Sequence, residues 1–80
     1  MQLNMLAKDT ASGRSGCPAV YVGDETTETP GDHWAVVQAP EIDDATSGNV
    51  VNWLPGEVGG RIRMSVLEAA VDAYRASKGR

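Results

Sequence analysis

Cys17 and His33, the single cysteine and the single histidine in the chain, are the side chains best suited to covalent chemistry. An imidazole beside a thiol draws off its proton and leaves a nucleophilic thiolate. The spacing of the two supplies no third group to orient the ring, so no catalytic residue is assigned. Cys17 reads as a small hydrophobe at the entrance to a strand, with a reactive thiol as the alternative. Its surroundings, "SGRSGCP" at residues 12–18, set two glycines around a basic residue, as an anion-cradling loop would. A loop of that kind opens onto a helix N-terminus, whereas "AVYV" follows here with the alternation of a strand. The glycines and Pro18 therefore read as a turn.

Metal chemistry has no better anchor. Zinc sites ask for about four Cys, His or carboxylate ligands, and this chain has one cysteine and one histidine. Glu41, Asp43 and Asp44 form an acidic cluster without the spacing of a calcium-binding loop, so they read as a solvated loop. The remaining carboxylates are scattered, and no pair is set apart for acid–base work. Neither a metal site nor a cofactor site is assigned, and the chain is expected not to be an enzyme.

What is left is recognition. Trp53, in "VVNWLPGE", either caps a small core or stands exposed as an interface anchor, a role in which tryptophan is enriched. His33 reads as a surface or edge histidine. If it is the exposed member of "HWAVV", Trp34 joins Val36 in the core and His33 shares the other face with Ala35 and Val37. The net charge is −4, which disfavours a nucleic-acid partner. The average conceals a split, because residues 61–80 carry Arg61, Arg63, Arg75, Lys78 and Arg80 against only Glu68 and Asp72. Direct nucleic-acid binding through that basic end is the alternative to a protein partner, and the candidate interface residues are Trp53, His33, Arg63 and Arg75.

These residues have to be positioned by a small scaffold. Eighty residues bury only about 60% of their unfolded surface, which limits residues 1–80 to a single domain with one thin core. The chain has no phenylalanine, so its stability is expected to lean on Trp34, Trp53, Tyr21 and Tyr74. "RMSVLEAAVDAYRASKGR" predicts a helix over about 66–77, with Ser65 and Glu68 as a capping box. Its apolar stripe is Val66, Leu67, Ala70, Val71 and Tyr74. Strands are expected over residues 3–7, in "PAVYVGD" and in "HWAVVQAPEI", the last two joined as a hairpin through an acidic tip. "DDATSGN" reads as a loop, with shorter strand candidates in "VVNWLPGE" and "GGRIRM" around a Pro55–Gly56 turn. The fold class is α+β: a mostly antiparallel sheet of three to five short strands, closed on one face by the C-terminal amphipathic helix. Open edges or an uncovered sheet face would then favour self-association.

Two stretches carry a resemblance. "LAKDTASGRSGCPAVYV" and "WAVVQAP" are similar to a group of small actinobacterial, Streptomyces-like proteins. These share a K-D-x-x-S-G-x-x-G-C-P-x-x-Y start and a V-V-Q segment, and they are often encoded near helix-turn-helix regulators. Ala39 departs from the glycine more usual at that position. The resemblance implies no activity, cofactor or catalytic residue; it implies an accessory protein in a regulatory module. No basic segment leads into an apolar run at the start, no stretch is long enough to span a bilayer, and a lone cysteine suits a reducing compartment. A cytoplasmic location with no membrane association is expected.

Overall fold

In a computed structural model that describes residues 1–12 and 18–78, strands β1 (Leu3–Lys8), β2 (Ala19–Thr26) and β3 (His33–Gln38) form an antiparallel sheet in the order β1-β2-β3. A short helix α1 (Asp44–Ser47) and a terminal helix α2 (Met64–Lys78) follow. The α+β class indicated by the residue pattern is present. Alternation along β2 sends Val20 and Val22 to one face and Tyr21 to the other, and the pairing of Val20 with Val37 and Val22 with Ala35 carries that division into β3. In β1 the register slips between Met5 and Ala7, leaving Leu6 unpaired in a bulge, and both Leu6 and Ala7 pack toward the core.

Helix α2 lies over β1 and β2. Its Val66 and Ala70 are buried on Val20, with Leu6, Ala7, Ile62 and Leu67 around them. That small cluster is the core, and none of the four large rings belongs to it. Trp34 and Trp53 remain 50% and 39% exposed, contrary to the expectation that the rings would carry the burial. The reason is position: the helix covers β1 and β2 through valine and alanine, while Trp34 lies on β3, beyond those strands, and alternates with His33 and Ala35 on the helix side.

Other elements differ from expectation locally. The helix begins at Met64, so Ser65 lies inside its first turn and cannot act as the cap; the main-chain oxygen of Arg63 accepts the Val66 and Leu67 amides at 3.0 and 3.3 Å. "DDATSGN" is helical over Asp44–Ser47 because the Asp43 side chain caps it, accepting the Thr46 amide at 2.7 Å. Neither "VVNWLPGE" nor "GGRIRM" forms a strand. Their only ladder contact is an isolated bridge between Glu41 and Gly60, because the chain after α1 folds back on that helix instead of reaching a sheet edge. The Pro55–Gly56 turn is as expected, with Gly56 at φ +87° and the Glu57 amide donating to the Leu54 oxygen at 3.1 Å. A matching Pro30–Gly31 turn, Gly31 at φ +83°, shapes the β2–β3 connection.

A buried carboxylate ties the end of β1 to the start of α2. Asp9 is 6% exposed. Its amide donates to the Pro18 oxygen at 2.7 Å, its Oδ1 accepts the Ala11 amide at 3.0 Å, and its Oδ2 accepts Arg63 Nε at 3.0 Å. The Arg63 side chain itself is largely exposed. Arg63→Ala is expected to lower stability by about 1–3 kcal/mol, because it strips a charge-assisted partner from a buried carboxylate. Urea unfolding followed by circular dichroism measures it, and Arg75→Ala, at an exposed helix position, is expected to cost well under half as much.

Candidate functional site

The second face of the sheet carries no helix among the described residues; Ala19 and Gly23 are buried on it, and the larger apolar side chains remain partly or largely exposed. Alternation places Leu3, Met5, Tyr21, Trp34 and Val36 there, and Met1 lies over Gly23 on the same side. Leu3, Met5 and Val36 are 43%, 53% and 36% exposed. The polar groups of this face sit toward its ends. Tyr21 donates its hydroxyl proton to Gln38 Oε1 at 3.0 Å, and Glu25 pairs at 3.3 Å with the Met1 amine. Lys8, paired with Ala19, belongs to the end opposite Glu25. The centre is a continuous apolar strip.

A second apolar feature runs between α2 and β3. Because the helix sits over the other two strands, Ala35 and Val37 on the covered side of β3 stay accessible and face Leu67, Val71 and Tyr74 across a groove of roughly 200 Å³. His33 closes one end, its Nδ1 at 3.3 Å from the Tyr74 hydroxyl and its ring edge-on to the tyrosine. The alternation expected for "HWAVV" is thus present, with its sides exchanged: His33 is the half-buried residue against the helix, and Trp34 and Val36 face solvent.

The third feature is the excursion from residue 40 to 61. Its neck is closed by the Ile42 amide on the Gly59 oxygen at 3.0 Å and the Arg61 amide on the Pro40 oxygen at 3.0 Å. Trp53 folds inward, donating Nε1–H to the Ser47 oxygen at 3.2 Å, with its ring and Ile42 crowding Gly59. Of the two roles open to Trp53, neither applies in full. It anchors this excursion rather than the sheet core, while Val51, Leu54 and Val58 around it are exposed.

The basic residues do not make one patch. Arg63 precedes α2 and is engaged by Asp9, whereas Arg75 and Lys78 lie in the last turn, about 18 Å farther along the helix axis. Lys78 sits 5.2 Å from the centre of the Tyr74 ring. Arg61 lies at the neck beside Asp43. Arg80 and Cys17 fall outside the described residues, and with them the proposed meeting of Cys17 and His33. Among the described residues, His33 belongs with Thr26, at the other end of β2 from Pro18, and no three His, Cys, Asp or Glu side chains gather as for a metal ion. Nor is any described helix long and apolar enough to cross a membrane.

Sequence inspection passed over Trp34, Val36, Leu3 and Met5 as interface residues, although "HWAVVQ" carried the signal. It is apolar on both alternating faces, while the chain offers only one long helix to cover them. Comparison of the chain with protein-family models, with curated proteins and with solved structures finds no match.

Two outcomes test the excursion. A Cβ on Gly59 would lie 2.7 Å from the end of Ile42 and 3.0 Å from the Trp53 ring. In a Trp34→Phe background, Gly59→Val should therefore displace Trp53 and red-shift its fluorescence, while the far-ultraviolet signal of sheet and helix is kept. Hydrogen bonding from Thr46, with the nearby Arg61 charge adding to it, holds the Asp43 carboxyl below its ordinary value of 3.8. The cap is therefore fully formed above that value and is lost as pH falls through the lowered one. A carboxyl titration by NMR should place Asp43 below 3.8.

Proposed function

We propose that this chain is a non-enzymatic accessory protein that works by binding another protein, and that the open sheet face of Met5, Tyr21, Trp34 and Val36 is its contact surface. The observation that carries the proposal is the exposure of that apolar strip on strands of a paired sheet, which hold the side chains in place without a partner. Contiguous apolar patches of this kind mark interaction sites, and a tryptophan at the centre supplies the large, rigid contact that dominates binding energy. A cytoplasmic setting fits the single cysteine, and a regulatory partner is what the resemblance to proteins encoded beside regulators would add. Binding of nucleic acid through the basic end draws less support, because Arg63 is occupied by Asp9 and is set apart from Arg75 and Lys78 by most of the helix.

The test places a photoreactive phenylalanine analogue at position 36, or at the solvent-facing Glu68 as control, and irradiates the producing cells. Protein adducts from position 36 that are absent from position 68 are expected. Equal adducts at both positions, or none at either, would overturn the proposal.

A further inference from the structure

We propose that the occupant of the open sheet face is a second copy of this chain, packed face to face about a two-fold axis that crosses the strands at the level of Met5 and Tyr21. The proposal rests on the face being an interaction surface, as argued above, and adds the identity of what covers it.

Area is the first argument. The chain exposes 6220 Å², whereas a compact monomer of its 8.4 kDa exposes roughly 4,600 Å². The excess, about 1,600 Å², is more than the about 800 Å² that each partner contributes to a standard stable interface. The buried apolar residues number only Ala19, Val20, Val66 and Ala70 among those described, so the chain has little core of its own to which an interface would add.

Self-complementarity is the second. An interface between copies related by a two-fold axis must match itself when turned end for end. Here Lys8 marks one end of the face and Glu25 the other, with the apolar strip between them. A two-fold across the strands lays the Lys8 end of each copy over the partner's Glu25 end, giving the same ion pair twice. Glu25 remains 61% exposed despite its contact with the Met1 amine, so it has room for a second cation. The acidic group of Glu41, Asp43, Asp44 and Glu57 belongs to the 40–61 excursion, outside the three strands, so much of the chain's negative charge is not carried by the strands themselves. Trp34 and Met5 then fill the space between two sheets spaced about 10 Å apart.

The purified full chain is examined by light scattering behind size-exclusion chromatography, at concentrations well above micromolar. A mass twice 8.4 kDa is expected, falling to the single-chain mass in Trp34→Lys with its far-ultraviolet spectrum retained. Should Trp34→Lys unfold, the charge variants decide. Lys8→Glu and Glu25→Lys alone should each raise the dimer dissociation constant about three- to tenfold, and the double swap should bring it back. A monomeric wild type overturns the proposal. So does a dimer indifferent to Trp34→Lys and to both charge variants, which would place the contact along the free edge of β3. A monomeric wild type whose position 36 still crosslinks to other proteins removes self-association and leaves the interaction function standing; a monomer without adducts removes both.

Discussion

The contact between Asp9 and Arg63 joins positions 54 residues apart in the chain. Asp9 follows the last residue of β1, and through its amide it also holds Pro18 ahead of β2. Arg63 is the residue whose carbonyl starts α2. One buried carboxylate therefore fixes where the sheet ends and where the helix starts. With that origin set, the helical repeat brings Val66 and Ala70 onto Val20 and leaves Val71 and Tyr74 at the rim. Closing a loop of that length has an entropic cost that grows only slowly with length, so a few well-placed contacts suffice. A buried ion pair contributes specificity of position more than raw stability, because desolvation offsets much of its attraction. Here the penalty is softened by the exposure of the Arg63 side chain.

A helix anchored at that corner lies over two strands and leaves the third uncovered. This choice explains the groove beside β3, the half-burial of His33 and the small residues of the core, since alanine and valine let α2 approach the sheet closely. The large rings are left for other duties. Tyr74 closes the groove with His33 and receives Lys78 on its face, Trp53 holds the excursion together, and Trp34 and Tyr21 belong to the open side of the sheet.

Much of this architecture was legible in the residues. The three-to-four spacing from Val66 to Tyr74 gave the helix and its stripe, the alternation in "AVYV" and "WAVV" gave two strands, and the Pro55–Gly56 pair marked a turn. Errors arose where local chemistry and tertiary contacts competed. Ser65 and Glu68 satisfy the capping pattern, but Arg63 is held by Asp9 and the helix starts earlier. Asp43 caps four residues that looked like loop. The valines of "VVNW" have strand character but no free edge within reach, so they stay irregular and exposed. Trp34 belongs in the core only if His33 is the exposed member of the alternation, and alternation alone cannot say which face of a strand the single long helix will choose.

That last ambiguity bears on stability as well as on recognition. Net stability is a small difference between burial and conformational entropy, and a cluster built on Val20, Val66 and Ala70 supplies little of the first term. A strand apolar on both faces, such as β3, supplies more only when both faces are covered. Covering the open face by a partner therefore acts on folding and on assembly together, since whatever binds the folded chain alone shifts the folding equilibrium in proportion to its concentration. In the proposed complex, Trp34 and Val36 would serve two ends with the same atoms: recognising the partner and, through that contact, completing a core that the chain by itself leaves thin.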